Sequence, residues 1–497
     1  MPHPLQSIWS DRVRVAAWAA LVIAVVYPRL VGFTTDSDAY LDVARTLLAG
    51  HGLAQSVVDF WRPAVPDPLG LWPPMFPLGI AGLGALGLPL PLAARLLAGA
   101  AYVAFALGFH ALALRAGGRG FAFVTAIVVL LGPGVAEAGA TAWSESLYLC
   151  GLTFGLVAAY DLTREPCTQP RVGMRPVLAG LWVGLAADTR YMGIGLVPVV
   201  FALLWFGGVR GRRLVAWAAG ALVPVGLWLG HNLIAFGHLT GPGLPAGTRT
   251  LGQVIAAMAV SLRWEFLPAS FAHLPSIAFP ALLGVGVATL WALRHGGVAR
   301  WAALVALTQL AFVGFAAWHA GINDPSGRLT LVAWPFLGLV ACCGVAAAIR
   351  RWFAGRRAER VAEVSVSGLA LLIVGAGLGT FLATTVAPPA QTIARRHAQV
   401  ALARLVPRDS GPVLTDTGHL LRLTTGAAAV QVPPERYRLR EFTADDERRW
   451  RAAGVTRAIF RASNRNELGS YLAERLASGA WAAEDSASGY VRYRVGP

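Results

Sequence analysis

Three aspartates, Asp36, Asp38 and Asp42, stand in the stretch FTTDSDAYLDVARTLLAGHG at residues 33 to 52, just after the first long apolar run. Carboxylates where a chain leaves an apolar run can face a polar cavity at a lipid boundary and act as a general base. The same residues also suit helix capping and an exterior loop. Further on, Glu145 in WSESLYL, Arg190 in the turn DTRY, and His319 and Arg328 at the two ends of HAGINDPSGR mark the ends of apolar runs. A guanidinium there can stabilise a leaving phosphate, or it can snorkel to lipid headgroups. Glu145 suits the positive end of a helix. His319 can donate to a phosphate or a sugar, or hydrogen-bond at a helix boundary. Trp264 and Phe266 in SLRWEFLPASF can stack on a sugar or anchor an interface.

The elements that must carry these residues are set by composition. Of 497 residues, 56% are hydrophobic and 14% charged, with mean hydropathy +0.56. That excludes an ordinary soluble protein and points to an α-helical polytopic membrane protein. Net charge is +16, and every one of the 42 basic residues is Arg. The Arg clusters fall in short loops, which reads as membrane topology and excludes a nucleic-acid footprint. An all-Arg, Ala- and Gly-rich chain also fits a GC-rich bacterial genome. The four Cys form neither a metal spacing nor a disulfide framework.

Apolar runs predict spans near residues 13–33, 91–114, 120–136, 143–160, 214–236, 276–293, 301–318, 329–349 and 364–386. The stretch 176–206 is broken at DTRY and reads as two short helices meeting at one membrane face, giving about eleven spans. The first run lacks a small-residue cleavage site and reads as a retained anchor. With the N-terminus cytoplasmic and WPPMFPLGIAGLGALG interfacial, the Arg-rich loops fall inside, and the loop 34–90, the DTRY turn and the chain end fall outside. AYLDVARTLLAG is expected as an amphipathic helix on the membrane surface, with Asp36 and Asp38 preceding it. Residues 1–387 form the expected transmembrane domain, including loop 34–90. Residues 388–497 change to soluble composition, with strands at PVLTD and VTRAIF and helices at TADDERRWRAAG and NRNELGSYLAERLASG, predicting a small extracytoplasmic α/β domain.

An acidic pair after the first span, then Tyr and A-x-x-L-x-x-G, then a Pro-Pro segment, resembles the C-type (GT-C) membrane glycosyltransferases. Bacterial members similar to protein O-mannosyltransferases and aminoarabinose transferases come nearest. The matching segments are DSDAYLDVARTLLAGHG, WPPMFPL, WSESLYL, GLWVGLAADTRYMGIGLVP, WLGHNLIAFGHLTG and SGRLTLVAWPFLGLVA, in the family's order across most of residues 13–350. The resemblance implies an inverting enzyme that takes a sugar from a polyprenyl-phosphate donor at the outer face of the bacterial cytoplasmic membrane. Its acceptor would be a lipid, a glycan or a protein, and membrane lipids surround it. Alignment on Tyr40 and Ala44 puts the base at Asp36, with Asp38 the close second choice. Ser37 stands where many relatives have Glu.

The resemblance calls for cations at the donor phosphate, for which Arg190, Arg328 and His319 are the candidates; Tyr40, Glu145 and Trp264 are the candidates for substrate contacts. Arg328 is followed by Leu329 where relatives usually carry Tyr. No cofactor and no metal ion are expected, although two neighbouring aspartates could hold Mg²⁺ or Mn²⁺. The other readings are a transporter or lipid-linked-sugar flippase, and an inactive assembly protein of the same fold. No inverted repeat or paired helix break supports transport.

Overall fold

The computed structural model describes residues 4–26, 33–59, 67–70, 72–165, 173–240, 249–266, 275–319, 327–352, 390–406, 411–432, 442–463 and 470–495. Two compact units emerge. One comprises Met1–Leu30, Arg95–His231 and Gly247–Ala387, the other Val31–Ala94, Asn232–Ala246 and Pro388–Pro497.

Among the described residues, five helices are long and apolar enough to cross a membrane: Leu90–Ala116, Gly211–Phe236, Ala278–His295, Gly297–His319 and Trp334–Arg351. The chain is a multi-pass membrane protein. The expectation of about eleven spans exceeds this number for identifiable reasons. Residues 364–386 lie outside the described residues. Met174–Ala187 and Leu196–Phe206, with 14 and 11 residues, reach only about 21 and 16 Å at 1.5 Å per residue, so each is a short helix broken from its neighbour at the DTRY turn. Met75–Ala85, read as interfacial and not counted among the eleven, has 11 residues, too few for about 30 Å of hydrocarbon. The span expected at 120–136 is bent: Arg119–Leu130 and Pro133–Ala140 meet at 73°, as one broken span or a re-entrant loop. Pro133 lacks an amide donor and disfavours helical backbone at Gly132. The elbow admits Trp334, whose ring atoms would lie 2.3 Å from a Cβ at Gly132.

In the helical unit, ion pairs tie helix ends together. Arg119 meets Asp11 at 2.5 Å, Arg115 pairs with Asp161, and Glu165 accepts from Arg175 at 3.0 Å and Arg213 at 2.5 Å. Asp161 stands near one end of the helix Glu145–Leu162 and Glu145 at the other, about 24 Å apart at the helical rise. The helix middles pack on small residues. A Cβ at Gly155 would lie 2.7 Å from Val183, one at Gly180 only 2.0 Å from the Trp217 carbonyl oxygen, and one at Gly220 2.2 Å from the Val177 carbonyl oxygen. Backbones thus touch directly, the small-residue mode of membrane helix packing. Gly180→Ala is therefore expected to destabilise the unit by about 3 kcal/mol through overpacking, while Gly226→Ala, with open space around it, leaves the melting temperature unchanged or higher. Equal melting temperatures for the two variants in detergent would contradict this packing.

The second unit is built on a sheet. Strands β1 (Ala54–Gln55), β2 (Val57–Asp59) and β3 (Asp67–Pro68) come from the first loop. β4 (Val413–Thr415), β5 (Ala429–Gln431), β6 (Arg457–Arg461), β7 (Trp481–Ala487) and β8 (Tyr490–Val495) come from the chain's last segment. Six of them form one sheet in the order β2-β5-β4-β6-β8-β7. The first four run parallel, with Val57 opposite Ala429, Leu414 opposite Val430 and Thr415 opposite Ile459. Side chains alternate between two cores. Leu414, Val430, Ala458 and Phe460 join Trp450 and Tyr493 on one face, while Val413, Ala429 and Ile459 join Leu402 and Leu421 on the other. That is the pattern of parallel strands covered on both faces. β7 and β8 form a hairpin through Ser488 and Gly489, both at positive φ, the backbone of a two-residue turn matched to strand twist.

The sequence places loop 34–90 with the transmembrane domain; its strand β2 pairs with β5, and residues 31–94 share a compact unit with 388–497.

Candidate active site

The loop helix runs Thr35–Leu48, so Asp36 and Asp38 lie in its first turn and do not precede it. The reason is a capping box. Ser37 Oγ accepts from the Thr34 amide at 3.0 Å and lies 3.3 Å from Thr34 Oγ1, satisfying amides that a helix start leaves open. Carboxylates in that turn are favoured by the helix dipole. The helix is also not a surface one: Ser37 to Ala44 are all buried, packed within the sheet-bearing unit.

Burial separates the three acids. Asp36 is half-buried. Asp38 is 2% exposed and takes a 2.5 Å ion pair from Arg395, on the helix Ala390–Leu405. Asp42 is fully buried and structural. Its Oδ2 accepts from the Ser56 amide at 2.8 Å and the Val57 amide at 3.3 Å, and its Oδ1 from Ser56 Oγ at 2.5 Å. It thereby holds the start of β2. Tyr40, expected to touch substrate, is 3% exposed and packs edge-on against Trp72 and Phe76, at centroid distances of 6.1 and 5.1 Å.

Burial pushes the Asp38 carboxyl above its ordinary value, and Arg395 opposes that shift by hydrogen bond and charge. An acid raised in this way contributes stability that is fully present below its ordinary pKa and lost as pH rises through its folded value. Removing Arg395 raises Asp38 further. Arg395→Met is therefore expected to cost about 3 kcal/mol near pH 8, the scale of a broken buried pair, and less as pH falls and Asp38 protonates. Melting curves of both proteins as pH is lowered check this, and a gap that does not narrow at low pH removes Asp38 as its cause.

The helical unit holds a second cluster. Glu145 is fully buried at the start of its helix and faces two guanidinium groups. Arg190 Nη1 lies 2.6 Å from Glu145 Oε1 and donates to Ser144 Oγ at 3.2 Å, while Arg328 pairs with the same oxygen. The Arg328 guanidinium lies over the Trp143 ring, 4.7 Å from its centroid, a cation–π contact. Three of the expected residues thus meet, although they come from separate parts of the chain. Four buried polar atoms here have no hydrogen-bond partner among the described residues: Glu145 Oε2, Ser146 Oγ, Tyr148 Oη and Arg190 Nε. Buried polar atoms left bare are costly. Two guanidinium groups share the Glu145 carboxylate, and a second acid, Glu137, lies within electrostatic reach of Arg328 and Glu145.

His319 is not part of this cluster among the described residues. It is exposed at the end of its helix and stacks on Phe315 at 5.3 Å. Trp264 lies in the helix Leu251–Phe266, and its side chain is outside the described residues. Sequence reasoning missed Arg395, Ser56 and His419, whose Nδ1 lies 3.9 Å from Asp42 Oδ2. The sequence contains no local signal for them, because their partners lie up to 377 positions away, from 42 to 419. Among the described residues no group of three or more His, Cys, Asp or Glu is arranged to hold a metal ion.

No family model matches the chain, and no curated protein matches it. Solved structures do. ArnT from Cupriavidus metallidurans bound to undecaprenyl phosphate superposes with a TM-score of 0.60 at 16% identity, covering 97% of each chain. The chain has the GT-C fold. The GT-C match extends to the apo state of the same ArnT, with a TM-score of 0.59 at 16% identity over 98% of each chain. It also extends to the archaeal oligosaccharyltransferase AglB from Archaeoglobus fulgidus, in complex with an inhibitory peptide and a dolichol-phosphate. There the TM-score is 0.56 at 12% identity, covering 93% of this chain and 70% of AglB.

Proposed function

We propose that this protein is an inverting glycosyltransferase of the bacterial cytoplasmic membrane. It moves a hexose or pentose from a polyprenyl-phosphate donor to a lipid, glycan or protein acceptor at the outer face, with the N-terminus cytoplasmic and the C-terminal residues extracytoplasmic. The observation that carries this reading is the pair of guanidinium groups, Arg190 and Arg328, converging on the buried Glu145 beside bare polar atoms, in a fold whose ArnT member holds undecaprenyl phosphate.

The chemistry assigns roles. The acceptor hydroxyl or amine attacks the anomeric carbon as the bond to phosphate breaks, so the phosphate leaves with an additional negative charge. Arg190 and Arg328 stabilise that charge by charge-assisted hydrogen bonds in a site of low dielectric. Asp36 takes the acceptor proton. It is the partly exposed acid of the three, whereas Asp38 is tied to Arg395 and Asp42 to the Ser56 amide. Asp38 therefore serves to hold the loop helix.

The purified protein, given a panel of radiolabelled undecaprenyl-phosphate sugars and native membrane extract, is expected to label an acceptor. Absence of transfer with every donor, together with movement of the intact lipid-linked sugar between leaflets of a reconstituted vesicle, would replace this reading by transport.

A further inference from the structure

We propose that Arg422, on the helix Gly418–Thr425, is a positioning residue for the reaction: through Ser56 it fixes the register of the loop helix, and with it the place of the Asp36 carboxylate. This rests on Asp36 being the base. The contacts run without a gap. Arg422 Nε donates to Ser56 Oγ at 3.1 Å, Ser56 Oγ donates to Asp42 Oδ1 at 2.5 Å, and the Ser56 amide donates to Asp42 Oδ2 at 2.8 Å. A hydroxyl can accept one bond while it gives another, so a guanidinium 366 positions away orients the group that grips the loop helix. Arg422 is itself held at the end of its own helix, where it donates to the Gly426 carbonyl. That helix starts directly against β2: a Cβ at Gly418 would come within 2.8 Å of Val57 Cγ1.

Asp38 and Asp42 are four residues apart and share one face of the loop helix. On that face Arg395 holds the first at 2.5 Å and Ser56 the second. Asp36 stands two residues before Asp38, about 160° around the helix at roughly 100° per residue. It therefore lies on the face that these two ties leave open, and it is the partly exposed acid of the three. Two ties one turn apart fix both rotation and sliding of the helix, whereas one tie lets it pivot. A misplacement of about 1 Å can cost about 10²-fold in rate. Arg422 acts one bond removed from the helix, so its loss costs less than that.

Transfer by the full-length protein in detergent is measured at saturating donor, well below the melting temperature. Arg422→Met is expected to lower kcat about tenfold with the donor KM unchanged, and to speed hydrogen exchange of the amides in residues 35–48. Ser56→Ala removes the same link from its other end. It is expected to give a similar loss, with no further fall in the double variant, and it alone decides where Arg422→Met folds poorly. In the Asp36→Asn background Arg422→Met is expected to leave the residual rate within about twofold, because no base remains to be placed. A residue that only stabilised the fold would lower the rate equally in both backgrounds. An unchanged kcat, a loss repeated in full without Asp36, or unchanged exchange in residues 35–48 overturns the proposal. If Asp36→Asn transfers sugar as fast as wild type, the parent reading fails and this proposal with it. A wild-type rate in Arg422→Met and Ser56→Ala, with Asp36 still required, removes Arg422 alone.

Discussion

Replacing Asp36 by Asn is expected to lower sugar transfer by about 10²- to 10⁴-fold, the usual worth of a positioned general base, while leaving donor binding unchanged. The amide keeps the size and one acceptor oxygen of the carboxylate and loses only the ability to take a proton. Asp38→Asn is expected to behave differently. Its Oδ1 is engaged with the Arg395 guanidinium and its side chain is buried, so the substitution acts on the melting temperature more than on turnover. Transfer rates and melting curves for the two variants, measured on the same preparations, decide between the acids. A larger loss of turnover in Asp38→Asn than in Asp36→Asn reverses the assignment, and activity unchanged in both removes this loop from the chemistry.

The second large effect concerns the arginine cluster. Arg190→Met is expected to slow transfer by about 10²- to 10³-fold, as loss of one preorganised donor to a developing anion does, and also to lower stability, because Glu145 is fully buried and loses one of its two cations. Glu145 keeps Arg328 as a partner in this variant, so the melting temperature falls modestly while transfer is largely lost. A fall in melting temperature with transfer unchanged would mean that Arg190 only satisfies Glu145 and takes no part in binding the leaving phosphate. The same pair of measurements on Arg328→Met reports on the second guanidinium, which has the Trp143 ring as a further support.

The class of protein and the positions worth testing were legible in the amino-acid sequence. Mean hydropathy, Arg-rich short loops and the break at DTRY follow from local composition, and local composition decides whether a segment partitions into lipid and where a helix must stop. The aspartates in their loop and Arg190 and Arg328 at helix ends were legible for the same reason: polar residues beside apolar runs stand out without knowledge of their partners.

Tertiary structure decided which of these residues belong together. Glu145, Arg190 and Arg328 meet across 183 positions of sequence, which no periodicity encodes. The division of labour among the acids also came only with the fold. Asp38 is occupied by Arg395, 357 positions away, and Asp42 by the start of β2. β2 itself is three residues long and is a strand because β5 supplies its hydrogen bonds. Short strands carry too little side-chain alternation to be read alone. Burial, not residue type, separates a carboxylate able to take a proton from one held as a tie, and burial is a property of packed neighbours distant in sequence.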